Sequence, residues 1–167
     1  IWVNEDASVA FTTDERANAP VAAYSIVDPE DIIELDQYRP AATLGEDVIP
    51  HNVHVWNNYL IVSYYTDGGK IVDASRPHNL VEVGSFDTFF GNAGGFSGSW
   101  GAYPFFSSGL VLLTDINNGL FVLEPTYQRA AFLEGKVTEV NTGRLLEGVR
   151  VVLNSDTEAN INLSGLD

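Results

Sequence analysis

Tyr59-Leu60-Ile61-Val62, followed by Asp67-Gly68-Gly69 and Lys70-Ile71-Val72, is the stretch that decides the fold. Shifted by 50 residues it falls without a gap on Gly109-Leu110-Val111-Leu112 and on Gly119-Leu120-Phe121-Val122, and Trp56 falls on Phe106. A second register, of 48 residues, lays Pro29, Ile32, Ile33, Glu34, Leu35 and Tyr38 on Pro77, Leu80, Val81, Glu82, Val83 and Phe86. A fixed period of this size marks a repeat architecture, because each copy needs its neighbours to cover its apolar faces. Both registers point to three copies of one unit. Each copy reads strand, strand, Asp/Asn-rich turn, strand, proline turn, strand, which is the content of a four-stranded propeller blade.

The rest of the chain agrees in texture. Short β-type runs occur at Val9-Ala10-Phe11, Val53 to Trp56, Tyr59 to Tyr65, Lys70 to Val72, Leu80 to Phe86, Leu110 to Leu113 and Leu120 to Leu123. Turn formers such as Asn117-Asn118-Gly119 separate them and supply the positive φ that tight hairpins need. No longer window carries a helical period. The expected fold is therefore all-β: a partial β-propeller of three blade-like four-stranded repeats over residues 1–125, then the first strands of a β-sandwich over residues 126–167. Closed propellers take about four to eight blades, and an open array leaves apolar sheet flanks bare. The chain is accordingly expected to be a fragment of a longer polypeptide whose remainder is its first partner. The absence of an initiator Met before Ile1 fits that expectation.

Composition narrows the function classes. The 167 residues hold 8 Lys+Arg against 23 Asp+Glu, a formal charge of −15. Such acidity repels phosphate backbones and anionic headgroups, so nucleic acid and anionic membrane are excluded as partners. No run approaches the ~18 apolar residues of a membrane span. Only Lys70 and Lys136 are lysines, and a Lys-poor acidic surface suits salty water, where ions screen its self-repulsion. Without cysteine there are no disulfides, thiolate zinc sites or Cys nucleophiles.

Candidate chemistry is correspondingly sparse. His51 and His54 invite a metal or ligand reading together with Asp67 across the channel, but residues three apart on a strand face opposite ways unless a bulge intervenes. The alternative is a histidine hydrogen-bonded at the inner end of a blade. Gly95-Phe96-Ser97-Gly98-Ser99-Trp100-Gly101 lacks the Gly-x-Ser-x-Gly elbow of a serine hydrolase and reads as an inter-blade loop. Asp14-Glu15 and Glu30-Asp31 read as solvated turn residues rather than a glycosidase pair. No cofactor is called for. Calcium is the one ion the many carboxylates would suit, yet Asp156-Thr157-Glu158-Ala159-Asn160 lacks the Gly and terminal Glu of an EF-hand loop. The aromatics from Phe89 and Phe90 through Phe96 and Trp100 to Tyr103, Phe105 and Phe106, set among glycines, either stack on sugar rings or fill the gap between blades. The candidate ligand-binding residues are thus His51, His54, Tyr65, Asp67, Trp100 and Tyr103, with none assigned to catalysis or to a metal.

Four ordered motifs carry a family resemblance. Pro50-His51-Asn52-Val53-His54-Val55, Ile61-Val62-Ser63-Tyr64-Tyr65-Thr66-Asp67-Gly68, Gly95-Phe96 through Trp100-Gly101-Ala102-Tyr103-Pro104-Phe105, and Thr114-Asp115-Ile116-Asn117-Asn118-Gly119-Leu120-Phe121-Val122-Leu123 resemble the LVIVD-repeat β-propellers of the choice-of-anchor B family. Ala10-Phe11-Thr12-Thr13-Asp14-Glu15 fits one blade earlier, although Ala22 to Val27 departs from the usual Asp before the proline turn. After Pro125, Gly135-Lys136-Val137-Thr138, Asn141-Thr142-Gly143 and Leu146 to Leu153 resemble the start of a carboxypeptidase-regulatory-like sandwich. The resemblance implies a secreted protein on the extracellular or outer-membrane surface of a gram-negative bacterium, routed by type IX secretion, with no established catalytic residues. The expected function is non-catalytic binding of protein or glycan within a larger multidomain protein or outer-membrane assembly. The alternative is a propeller-fold polysaccharide hydrolase or lyase with its site in the central channel.

Overall fold

The computed structural model describes residues 1–149. Arg150 to Leu153, expected to belong to a sandwich strand, and the Asp156 to Asn160 run lie outside the described residues. The described chain is all-β and forms three antiparallel sheets, each in chain order. The first contains β1 (Trp2–Val3), β2 (Val9–Thr13), β3 (Val21–Ser25) and β4 (Ile33–Tyr38). The second contains β5 (Pro50–Trp56), β6 (Tyr59–Tyr64), β7 (Gly68–Asp73) and β8 (Val81–Phe86), with one 3-10 turn at Tyr65–Asp67. The third contains β9 (Ser99–Tyr103), β10 (Val111–Asp115) and β11 (Gly119–Leu123).

The spacing of 48 residues holds between β3–β4 and β7–β8, while the ladders set Val9 of β2 against Tyr59 of β6, 50 residues on. Ile33 pairs with Ser25 and Val81 with Asp73, and both ladders carry a bulge at the equivalent place, Ala23/Tyr24 and Ile71/Val72. From β6–β7 to β10–β11 the offset is 51, since the turn closed by Tyr64 and Gly68 matches the turn closed by Asp115 and Gly119, and from β5 to β9 it is 49, Pro50 matching Ser99. The ungapped match of 50 is thus one residue out, and a slip of one exchanges the two faces of a strand. Leu60 and Val62, not Ile61, correspond to Val111 and Leu113. Leu60-Ile61-Val62 is apolar at every position, so its sequence holds no alternation that could reveal the slip.

That continuous apolar run has a structural cause. β6 lies in the middle sheet, and all six of its residues are buried. Leu60, Val62 and Tyr64 share a core with Val9, Phe11, Val21 and Ala23 of the first sheet. Tyr59 and Ile61 share another with Ala102, Val111 and Leu113 of the third. A strand covered on both faces reads as a hydrophobic run rather than an alternation, and each such Leu, Ile or Val contributes about 1.5–3 kcal/mol through burial. The β5–β6 hairpin closes on Asn57 and Asn58, both at positive φ (50° and 60°), the backbone of the two-residue turn that matches strand twist.

Two features of the layout matter for function. The first strands of the sheets, β1, β5 and β9, are all edge strands, and β5 lies beside both of the others. At the opposite side β4 and β8 cover β3 and β7, whereas β11 has no fourth strand beside it among the described residues. A groove of about 350 Å³ runs there, lined by Ile71, Gly84, Phe86, Leu113, Leu123 and Pro125 among others.

The first compact unit extends to Ala130, five residues past Pro125. The Tyr127 ring packs, tilted, against Trp56 and Tyr59 at 4.8 and 5.1 Å. Arg129 lies 4.0 Å over the Tyr59 ring and donates to the Asn57 and Asn58 carbonyls and to Asp73 Oδ1. The second unit begins at Ala131. Its described residues make one antiparallel bridge, Thr138 to Leu145, around the expected Thr-Gly turn, where Gly143 takes a φ of 68°.

Candidate functional site

The site grows out of two β-bulges. On β5, Pro50 and Asn52 are matched to the ladder and His51 is passed over; on β9, Ser99 and Gly101 are matched and Trp100 is passed over. The bulged residues occupy equivalent positions of adjacent sheets, and freed from their ladders their rings stack, 5.0 Å apart and tilted by 26°. Ser63, fully buried, ties the two bulges together: its Oγ accepts from the Asn52 N–H (3.2 Å) and donates to the Trp100 carbonyl (3.1 Å). Gly98 sets the approach to β9 at a φ of 91°, where a Cβ would stand 2.2 Å from the Tyr65 carbonyl oxygen. The segment read from sequence as an inter-blade loop therefore ends as strand β9, with Gly98 serving a close backbone approach at its start.

Around the stacked pair sits a polar and aromatic rim. Glu15 Oε1 lies 3.0 Å from His51 Nε2 and accepts a hydrogen bond from the Tyr65 hydroxyl, also 3.0 Å. Tyr65 meets Phe96 edge-on at 5.3 Å. Burial, reinforced by the hydrogen bond and charge of Glu15, pushes the Tyr65 phenol up to about 12, so it stays protonated and acts as a donor. His51 Nδ1 is buried without a hydrogen-bond partner, and the ring proton is assigned to the Nε2 that faces Glu15. Trp100 remains 53% exposed and Phe96 59% exposed.

A second aromatic group runs along the same edge strands. Trp2 lies 4.8 Å from His54 and stacks on Phe105 at 5.3 Å, and Tyr103 meets Phe105 and Phe106 at 5.3 and 5.0 Å. Burial holds the His54 pKa below its ordinary value, so the ring is neutral. His54 faces the same side as Asn52 and Trp56, opposite to Val53 and Val55.

The structure thus places His51, Tyr65 and Trp100 in one cluster and His54 and Tyr103 in the other. Asp67 belongs to neither. It is buried against Lys70, 3.1 Å away, and its Oδ2 accepts from Thr43 Oγ1 at 2.9 Å. An ion pair closed in this way has its partners supplied by the protein. The residue that the sequence reading missed is Glu15, taken for a solvated turn residue. Its signal was available: Tyr65, the residue it meets, stands 50 positions later, at the same place in the repeat. Among the described residues no group of three His, Cys, Asp or Glu side chains could hold a metal ion.

Chemically the surface offers half-exposed aromatic faces beside a carboxylate and a phenol, which suits stacking on a ring while hydrogen-bonding its rim. No family model, curated protein or solved structure matches the chain.

Proposed function

We propose that this chain is part of an exported cell-surface β-propeller of the LVIVD-repeat, choice-of-anchor B kind, and that it binds glycan, without catalysis, through the aromatic edge formed by β1, β5 and β9. The observation that carries the reading is the stacked His51–Trp100 pair, built from equivalent bulges, in which His51 is largely covered and Trp100 is left half open to solvent. Propeller stacking is supported by the recurrence of strands, registers and a bulge at 48 to 51 residues. The rest of the polypeptide remains the natural partner for the third sheet: Leu120 and Val122 turn outward on its far face, 60% and 58% exposed, and the groove beside β11 would take the side chains of a fourth strand. Cell-surface placement rests on the family resemblance and is supported by the acidic composition.

The test is a glycan array probed with wild type and Trp100→Ala. Binding to one or more glycans, lost or reduced at least about tenfold in the variant as one aromatic–ring stack requires, supports the reading. No binding, or binding unchanged by the substitution, ends it.

A further inference from the structure

Resting on that glycan reading, we propose that the ligand carries a positive charge: it is an amino sugar with a free amine, its ring laid on Trp100 and its ammonium against the carboxylate of Glu15. Among the described residues Glu15 uses only one of its oxygens. Oε1 takes both the Tyr65 hydroxyl and His51 Nε2, while Oε2 makes no hydrogen bond among the described residues, and the side chain is 49% exposed. The neighbouring cation does not compensate it, because the Arg16 guanidinium is engaged 2.6 Å from Asp14. Lys70 is likewise committed to Asp67.

The carboxylate is also held in position. Tyr65 and His51 fix it from two directions, and both rings are themselves packed, Tyr65 against Phe96 and His51 against Trp100. A carboxylate pinned at the rim of aromatic faces is the arrangement that recognises an ammonium group, through a charge-assisted hydrogen bond and attraction to the ring quadrupole. The net charge of −15 works in the same direction. It draws cations toward the surface and repels uronate and sulfated polymers.

The experiment measures binding of glucosamine hexasaccharide, N-acetylglucosamine hexasaccharide and an alginate oligomer of equal length, at physiological salt, to wild type, Glu15→Gln and Trp100→Ala. Gln retains one oxygen able to accept from Tyr65, removes the charge and turns the second oxygen position into an NH2 donor that repels an ammonium. Wild type is expected to bind the free-amine hexamer about tenfold more tightly than the acetylated one, the worth of one partly exposed charge-assisted hydrogen bond, and to reject alginate. Glu15→Gln should abolish that preference while keeping the affinity for the acetylated hexamer, and Trp100→Ala should weaken both. Equal affinity for the two hexamers, or a preference that survives Glu15→Gln, overturns the inference and leaves glycan binding standing. Absence of binding to both hexosamine oligomers in wild type likewise overturns the inference, and the glycan array then decides the broader glycan reading.

Discussion

The junction between the first and second sheets and the junction between the second and third use equivalent positions but are sealed differently. At the first, Tyr38 at the end of β4 donates its hydroxyl to Glu82 on β8, and the Leu80 N–H donates to Asp36. Tyr38 meets Tyr64 edge-on, and burial drives the pKa of both phenols up, so each stays protonated. At the second junction the core of Ile61, Val111 and Leu113 opens outward into the groove beside β11. The difference is one strand. β8 reaches across to β4, while β11 has no fourth strand next to it among the described residues. At the inner side both junctions are closed in the same way, by rings on the first strands. Where a fourth strand is present it seals one end of a junction, and the first strands carry the rings that close the other.

That contrast can be broken by matched truncations. Leu60→Ala in the sealed junction is expected to cost about 3–4 kcal/mol, lowering Tm by roughly 6–15 °C, because close packing leaves a cavity that cannot collapse. Leu113→Ala, its near-equivalent beside the groove, should cost about 2–3 kcal/mol, since neighbours bordering open space relax into the gap. Equal losses in chemical denaturation would mean that the groove does not soften the second junction.

A smaller effect is expected from Arg129→Ala, about 2 kcal/mol. Asp73 is fully buried, and burial by itself would raise its pKa. Hydrogen bonds from Ser75, from the Ala130 N–H and from Arg129 outweigh burial and hold the carboxyl below its ordinary value. Removing the guanidinium leaves that charge poorly paired, so the variant should lose stability above about pH 4 and converge with wild type as Asp73 protonates in acid. Parallel curves at every pH would detach the loss from Asp73.

The smallest effect concerns His54, whose folded-state pKa lies below its ordinary 6.5 because of burial. The unfolded chain then takes up the proton first. The contribution of His54 is fully present above about pH 6.5 and is lost as pH falls from there toward the folded pKa. Melting temperatures at pH 7.5 and 5.5 should diverge more in wild type than in His54→Gln, and the same divergence in both would clear His54.

How much of this was legible in the sequence differs from place to place. The Ile33 to Tyr38 and Val81 to Phe86 match was readable because glutamates and prolines punctuate it. The Tyr59 to Val62 match lost its register by one residue because a strand buried on both faces carries no polar marker. β9 was hidden because Gly98, close to the Tyr65 carbonyl, and Gly101, close to the Thr114 side chain, resemble a flexible loop. His51 and Trp100 were singled out for their chemistry, but nothing local indicated that they are equivalent bulges whose rings meet. Glu15 was passed over since an acidic pair in so acidic a chain carries little weight without its partners.

Local alternation and turn residues were enough to settle the β class and the place of most strands, because hydrophobic patterning and turn chemistry act over a few neighbouring residues. Only the tertiary structure decided which faces met, that Asp67 is spent on Lys70, and that Glu15, Tyr65, His51 and Trp100 form one surface. Those contacts join residues tens of positions apart, and their geometry depends on where two bulges and one glycine turn the backbone.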